Sequence, residues 1–367
     1  MSFTTKRWAS LGALAMTAAL VAGACNSGTP STAPAAATQA PAASQAAAAS
    51  AAASQAAATQ ATTGGTGKGA NIFVVGGKPD DPFWSKVKKG VDDEAKVVEA
   101  YGGSVTWLAP QNYDNLGPDA AKLIQTALTQ NPSGVIGPDW VPEAEDPAFQ
   151  AVVAAKVPLI IYNAGGIDAA NKLGALDYVG NDEYTAGLGG GEYLGQNGVK
   201  HILCVNTLPG TTNIEARCKG LADGIAKSGG TSTELPLPSS QFNDQSAIAQ
   251  AVKAALAKDP TIDAAVAISA GDATALASGI DQAGLTGKVK LGSFDFDSTG
   301  LQRIQAGTQM MAIDQEPYMQ GLLSVALLNS YILFGIDLPQ KPINTGPGII
   351  DASNVAAAVA GAAAGAR

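Results

Sequence analysis

The chain has 367 residues, one histidine and a formal net charge of −9. The negative charge disfavours a nucleic-acid partner, because phosphates call for a basic face. A single histidine disfavours a two-histidine metal site or a histidine-based nucleophile triad, and we expect no metal or cofactor.

Residues 1–24 are typical of an export signal. Lys6 and Arg7 give a basic start, and an uncharged apolar run follows over 11–21. That run is shorter than the about 20 residues that a membrane-spanning helix needs. Small residues then precede Cys25, a pattern that resembles the lipid-attachment site of bacterial lipoproteins. We therefore predict lipidation at Cys25; the alternative is an ordinary signal peptide with an incidental cysteine.

The segment from Cys25 to residue 70 consists almost entirely of Ala, Ser, Thr, Gln, Pro and Gly, and carries one charge, Lys68. Such a composition cannot bury enough apolar area to offset the entropy lost on ordering. We predict a disordered, flexible tether over this segment. About 290 residues follow from Asn71, which is enough for two domains.

Strand and helix signals alternate after Asn71. Short β-branched or apolar runs predict buried parallel strands at 72–75, 105–108, 134–136, 159–162, 202–205, 264–268, 289–291 and 311–313. Amphipathic stretches predict helices at 82–101, 119–130, 182–195, 213–227, 244–258 and 272–283. Repeated βα units predict doubly wound α/β sheets that bind ligands at the carboxyl ends of their strands. The Ala-rich end, 352–367, is expected to be a frayed helix or disordered.

Polar and aromatic side chains follow the predicted strands. The set is Asp81, Phe83, Trp84, Asp139, Trp140, Asn163, Asp272, Phe294, Asp295 and Gln315. Carboxylates and amides pair with adjacent hydroxyls, and aromatic rings cover the C–H face of a sugar. The pattern predicts a small uncharged sugar or polyol as ligand, although any one Asp or Asn could instead only cap a helix or make a turn.

Several stretches occur together over about 71–351: DDPFWSKVKKGVDDEAK, NPSGVIGPD, VPLIIYNAGG, YVGNDEYTAGLGGGEYL, GTTNIEARCKG, LGSFDFD and MMAIDQEP. In this order they resemble type I periplasmic sugar-binding proteins of the ribose-binding class, the substrate receptors of ABC importers. The resemblance implies two Rossmann-like α/β lobes, 71–180 with 316–344 and 182–315 with 345–351. Three hinge crossings near Asn181, Gln315 and Asn344 would join them. It implies a monomeric, extracytoplasmic receptor that closes on its ligand and is read by a membrane permease.

The resemblance also assigns binding positions. It places them on Asp81, Phe83, Trp84, Asn163, Arg217, Asp272, Phe294, Asp295 and Gln315. Asp81 and Ala164 depart from the ribose-binding pattern and put ribose in doubt. Asn163 with Gly165 resembles a subgroup associated with other small sugars and sugar alcohols. We expect loss of Arg217 to weaken ligand binding while changing the stability of the ligand-free protein little.

Other functions are less favoured. A nucleoside or furanose-like signal molecule is an alternative ligand. A DNA-binding regulator of the lactose-repressor kind would need a basic headpiece where this chain has a signal and a neutral linker. An exported sugar-acting enzyme would need a placed acid/base pair. Asp81, Asp139 and Asp295 could serve as the acid and base, but the resemblance implies that such residues bind the ligand.

Two cysteines remain besides Cys25. Cys204 lies on a predicted strand and Cys218 on the helix that follows it. An exported chain meets oxidising conditions, and a helix returning over its own strand can bring the two within the roughly 6 Å Cα separation that a bridge needs. We predict a disulfide; the alternative is two buried free thiols.

Overall fold

The computed structural model describes residues 65–339 and 341–367. Cys25 and most of the predicted tether lie outside these residues, so lipidation and the tether stay predictions. Within the described ranges, no helix is both long and apolar enough to cross a membrane.

The first lobe is built on a six-stranded parallel sheet. Its strands are β1 (Asn71–Val75), β2 (Ser104–Leu108), β3 (Gly134–Gly137), β4 (Leu159–Tyr162), β5 (Asp177–Gly180) and β11 (Ile343–Asn344). They run in the order β11-β5-β4-β3-β1-β2. The helices packed on them are α1 (Trp84–Ala100), α2 (Leu116–Thr129), α3 (Pro142–Ala154), α4 (Gly166–Leu173) and α10 (Pro317–Phe334). Helices cover both faces, so the strands read as continuous apolar runs.

The second lobe repeats this plan. Its strands are β6 (His201–Asn206), β7 (Thr231–Pro236), β8 (Ala264–Ala267), β9 (Lys290–Phe294), β10 (Met311–Asp314) and β12 (Gly348–Ile350). The order is β12-β10-β9-β8-β6-β7, with β12 antiparallel to β10. Its helices are α5 (Glu183–Gln196), α6 (Thr212–Ala226), α7 (Gln245–Lys258), α8 (Ala270–Gln282), α9 (Ser298–Gln305) and α11 (Val355–Ala363). The predicted fold class, two doubly wound α/β units, is confirmed.

The chain passes between the two sheets after β5, after β10 and between β11 and β12. Hydrogen bonds stabilise these passages. The Thr345 hydroxyl donates to the Gln315 backbone carbonyl oxygen at 2.9 Å. The Tyr178 hydroxyl donates to the Asn181 backbone carbonyl oxygen at 2.8 Å. The passages fall beside Asn181, Gln315 and Asn344, where hinges are predicted. The exact limits of the two lobes as moving units stay a prediction.

Several elements escaped sequence reasoning for physical reasons. Strand β7 is an edge strand with mostly exposed residues, so it lacks an apolar run. Helix α10 is apolar nearly all round and has no amphipathic period.

The C-terminal end, expected to be a frayed helix or disordered, forms a helix that packs on the second lobe. Helix α11 buries Val355 and Ala358 in an apolar cluster with Phe296 and Ile350. Beyond that helix, Arg367 pairs with Asp314, with Nη2 at 2.6 Å from Oδ2. The tail is therefore part of the second lobe.

A disulfide joins Cys204 on β6 to Cys218 on α6, as predicted, with the Cα atoms 5.7 Å apart. Both residues are buried in the core. The bridge ties the middle of α6 to its sheet, one residue after Arg217.

Candidate functional site

A cavity lies between the lobes at the carboxyl ends of the strands. It encloses about 490 Å³ of empty space, part of it open to solvent. Its lining residues are Asp81, Phe83, Trp84, Tyr113, Leu116, Trp140, Asn163, Leu208, Asn213, Ile214, Arg217, Phe242, Ile268, Ser269, Asp295 and Gln315. Most of the residues predicted from the sequence therefore come together here.

One wall of the cavity is aromatic and belongs to the first lobe. The Trp84 ring lies edge to face with Trp140, with centroids 5.5 Å apart, and with Phe83 at 5.2 Å. The Trp84 indole packs over Gly77, where a Cβ atom would lie 2.1 Å from Cδ1. Any larger residue at Gly77 would displace the indole, so the glycine is required for this wall.

Asp81 positions that wall. Its Oδ1 accepts hydrogen bonds from the backbone N–H groups of Phe83 (2.9 Å) and Trp84 (3.1 Å). Its Oδ2 accepts a bond from Asn243 Nδ2 of the second lobe at 3.2 Å. Burial raises the pKa of Asp81. The side chain therefore caps the start of α1 and also links the two lobes.

Arg217 is buried in the opposite wall and is largely occupied by protein partners. Its Nε and Nη2 donate to the two carboxylate oxygens of Glu183 at 2.7 and 3.0 Å. Nη1 donates to the Ile268 carbonyl oxygen (2.7 Å), and Nη2 also donates to Gln315 Oε1 (2.8 Å). A guanidinium has five N–H donors, so one Nη1 N–H is left for a ligand.

Close packing of two helices brings Glu183 to Arg217. A Cβ atom at Gly187 of α5 would lie 2.3 Å from the Arg217 carbonyl oxygen, so only glycine allows this approach. The Arg217 guanidinium stacks 4.6 Å from the Phe294 ring. Burial alone would lower the pKa of Arg217, but the Glu183 carboxylate outweighs it and raises the pKa. The arginine therefore stays charged and is neutralised by its partner.

Gln315 connects this pair to the second carboxylate of the cavity. Its Nε2 donates to both oxygens of Asp295, at 2.9 and 2.8 Å. Burial raises the pKa of Asp295 to about 7. Asp295 has a φ of 58°, a conformation that costs energy in a non-glycine residue and often marks a binding site.

Asn163 offers a free acceptor at the floor of the cavity. It also has a positive φ, 62°. Its Nδ2 donates to Gln320 Oε1 at 3.2 Å, which sets the orientation of the amide. Its Oδ1 is buried and has no hydrogen-bond partner among the described residues. A ligand hydroxyl is the donor that this oxygen calls for.

A protein-family profile described as a periplasmic binding protein domain matches residues 72–335. The chain belongs to the periplasmic binding protein family. The predicted resemblance to type I periplasmic sugar-binding proteins is confirmed by this match and by the two-lobe fold.

Two solved structures and one curated protein are similar to this chain over most of its length. A carbohydrate transporter from Acidothermus cellulolyticus, solved with myo-inositol, is 31% identical, with 81% of this chain and 99% of that chain covered and a TM-score of 0.73. A glucose-galactose binding protein from Geobacillus stearothermophilus is 22% identical, with 78% and 99% covered and a TM-score of 0.67. A curated xylose/arabinose-binding protein from Sulfolobus acidocaldarius is 22% identical over 289 residues, which are 75% of this chain and 69% of that protein.

Three predicted site residues of this periplasmic binding protein do not line the cavity. Phe294 lies under Arg217. Asp272 accepts hydrogen bonds from Thr207 Oγ1 (2.6 Å) and from the Asn243 backbone N–H (3.1 Å), and burial raises its pKa to about 6. Asp139 contributes its carbonyl oxygen, which accepts a bond from Thr212 Oγ1 of the other lobe at 2.9 Å. These residues support the walls from behind.

Sequence reasoning missed lining residues that no strand-end pattern marks. Tyr113 and Phe242 face each other across the lobes with ring centroids 5.0 Å apart. Asn243, beside the cavity, fills the space next to Gly271, where a Cβ atom would lie 1.8 Å from its Oδ1. Asn213 lies in the stretch GTTNIEARCKG, but no feature of that stretch singles it out. Such loop residues come together at the cavity only when the two lobes pack, so no local sequence pattern identifies them.

Proposed function

We propose that this protein is a lipid-anchored extracytoplasmic receptor that captures a small uncharged sugar or sugar alcohol between its lobes and delivers it to an ABC importer. The observation that carries the proposal is the cavity between the lobes, with an aromatic wall from the first lobe and a hydrogen-bonding wall from the second. Aromatic rings and polar side chains on opposite sides match the two faces of a sugar ring.

The charge balance of the cavity supports an uncharged ligand. Arg217 is neutralised by Glu183, and Asp295 is held by the neutral Gln315. Among the described residues that line the cavity, no cation remains unpaired for an acidic sugar, and the aromatic wall carries no charge. Neutral hydroxyls can use the free Nη1 N–H of Arg217, the Asp295 carboxylate and the Asn163 amide oxygen.

Among uncharged ligands, myo-inositol is the first candidate. The relative solved with that polyol shares 31% of its residues with this chain across nearly its whole length. The departures from the ribose-binding pattern at Asp81 and Ala164, together with Asn163, support a polyol or another small sugar over ribose. Pentoses such as arabinose and xylose are the next to test.

Contacts across the cleft support a mechanism of closure around the ligand. The Thr212 backbone N–H donates to the Trp140 carbonyl oxygen at 2.9 Å, and the Asn243 side-chain Nδ2 donates to Asp81 Oδ2 at 3.2 Å. A ligand that touches both walls favours the arrangement in which these bonds form. We infer that the lobes move about the three passages near Asn181, Gln315 and Asn344. The permease would then recognise the closed form of the receptor.

Anchoring at Cys25 would hold the receptor at the outer face of the cytoplasmic membrane or in the periplasm. The Ala-rich tether lets the folded part reach the permease from that anchor. We infer a monomer that works as a binding protein rather than an enzyme, because the relatives it resembles are named for sugar binding and Asp81 is committed to capping α1 and linking the lobes.

A binding screen tests the ligand proposal. Purified full-length protein in nonionic detergent is titrated calorimetrically with myo-inositol, pentoses, hexoses and a nucleoside, with thermal unfolding as a second readout. A ligand at 100 times its dissociation constant adds about 2.7 kcal/mol of stability. We expect saturable one-to-one binding of a neutral polyol or sugar. Binding of the nucleoside alone, or of none of these compounds, would refute the proposal.

A further inference from the structure

A further cavity lies across the lobe boundary, next to the cavity already described. It encloses about 890 Å³ of empty space, part of it open to solvent. Its lining is mostly polar and includes Lys78 and Asp80 of the first lobe and Gln245, Thr274 and Asp297 of the second. The Asp80 side chain is 76% exposed, so this outer cavity opens at the surface of the molecule.

Four residues separate the outer cavity from the first cavity. Asp81 and Tyr113 line both cavities, whereas Phe242 lines the first cavity and its neighbour Asn243 lines the outer one. Each lobe contributes two of the four residues, so they form a continuous wall only when the lobes are together. We call these four residues the partition.

Direct contacts across the lobes close the partition. The Tyr113 and Phe242 rings meet edge to face, with centroids 5.0 Å apart and ring planes at 86°. Beside them, Asn243 Nδ2 donates to Asp81 Oδ2 at 3.2 Å. Aromatic rings at this separation are in contact, so a ligand substituent does not fit between them.

Each lobe holds its part of the partition in place. On the first lobe, the Lys78 backbone N–H donates to the Tyr113 hydroxyl at 2.9 Å. On the second lobe, Asn243 has a φ of 63°, and its backbone N–H donates to Asp272 Oδ1 at 3.1 Å. A residue in this strained conformation persists only where its surroundings fix it. The partition is therefore a fixed feature of the closed arrangement.

We propose that Tyr113 and Phe242 determine ligand size by closing the first cavity to a second sugar unit. This inference rests on the proposed function, because it needs a sugar or polyol in the first cavity. The two rings would clash with a substituent that points toward the outer cavity, and a clash of this kind rejects a competing ligand. The outer cavity has polar side chains that suit the hydroxyls of a second ring. Removing either aromatic ring should therefore join the two cavities and admit a two-ring ligand.

Calorimetric titration of the full-length protein in nonionic detergent compares single rings with the same rings carrying a second sugar. The pairs are myo-inositol with its galactoside galactinol, D-xylose with xylobiose, and D-glucose with cellobiose. We expect the wild type to bind the single ring of at least one pair, and the matching two-ring compound at least about tenfold more weakly. In Tyr113→Ala and in Phe242→Ala, the ratio of the two affinities should shift toward the two-ring compound by about tenfold or more.

Tyr113→Phe and Leu208→Ala are the matched controls. Tyr113→Phe keeps the aromatic ring of the partition and should keep the exclusion of the two-ring compound. Leu208 lines the first cavity but not the outer one. Leu208→Ala therefore enlarges the first cavity without opening the partition, and it should not admit the two-ring compound.

The outcomes distinguish this inference from the proposed function. If no single ring binds to the wild type, both fail. If the wild type binds a single ring and its two-ring partner with comparable affinity, the partition alone is refuted, and this comparison needs no substitution. The partition is also refuted if both alanine variants bind the single ring but keep the exclusion, or if Leu208→Ala relaxes the exclusion as much as they do.

Discussion

Replacement of Arg217 by methionine should destabilise the ligand-free protein. Methionine keeps an apolar stem over the Phe294 ring, but it leaves the Glu183 carboxylate, which is 7% exposed, without its cation. Removing one partner of a buried ion pair costs about 3–5 kcal/mol. For about 300 folded residues, at about 2.1 cal/mol/K of unfolding entropy per residue, that corresponds to a melting temperature lower by roughly 5–8 °C. The sequence alone predicted that loss of Arg217 would weaken ligand binding and change ligand-free stability little. Because Arg217 forms a buried ion pair with Glu183, we now expect a loss of ligand-free stability as well.

The defect should also depend on pH in a defined direction. Burial raises the pKa of Glu183 in the folded protein, and removing Arg217 takes away the charge that opposes this rise. The unfolded chain has the ordinary glutamate pKa of about 4.3. Between those values the folded variant holds a proton that the unfolded chain does not. The stability of the variant therefore falls as pH rises above about 4.3, and its deficit relative to wild type widens once pH passes the raised folded-state pKa of Glu183 in the wild type, because only the variant then still holds the proton.

Two further variants sharpen the test, with scanning calorimetry of ligand-free protein at several pH values as the assay. Lys219→Met removes the cation of the exposed Lys219–Asp223 pair on the same helix and should change stability little. Arg217→Met/Glu183→Gln should regain much of the lost stability, because the unpaired charge is gone. Wild-type stability in Arg217→Met, or an undiminished deficit in the double variant, would refute the reasoning.

Four other outcomes are expected. Trp84→Ala should weaken sugar binding by about 2 kcal/mol or more in calorimetry, since it removes the centre of the aromatic wall; unchanged affinity would place the ligand elsewhere. Replacing Cys204 and Cys218 by alanine should cost about 3 kcal/mol in urea unfolding, from the chain entropy of a 15-residue loop; a loss near zero would contradict this. The folded-state pKa of Asp295, about 7, lies above its unfolded value, so ligand-free stability should rise as pH falls from 7 toward 4. Asp295→Asn should reduce the slope of that profile without abolishing it, because Asp272, with a pKa raised to about 6, still titrates in this range; an unaltered profile would count against burial of the Asp295 carboxyl. Cys25→Ser should release the protein from membranes with ligand affinity unchanged, and continued membrane partitioning would argue against the lipid anchor.

Local patterns in the chain were enough to identify the fold class and most of the cavity. Apolar runs such as 159–162 predict strands correctly because both sheet faces are covered and every side chain is buried. The carboxyl ends of parallel strands share one edge of a sheet, so strand order places Trp84 at the ligand edge of the first sheet and Asp295 at that of the second. The resemblance to two-lobed binding proteins implied that these two edges face one cavity. The cysteine pair was predictable for a related reason, because a strand and the helix after it are always neighbours.

Tertiary structure alone decided what each site residue does. The resemblance predicts that Arg217 and Gln315 lie at the cavity between the lobes, but it does not show that Glu183 takes two of the five guanidinium donors. That pairing depends on how closely α5 and α6 approach through Gly187, a distance that no local pattern encodes. Contacts across the cleft, such as Asn243 with Asp81, join residues far apart in the chain. Local propensity acts over a few residues, whereas these contacts form only when two complete lobes pack together.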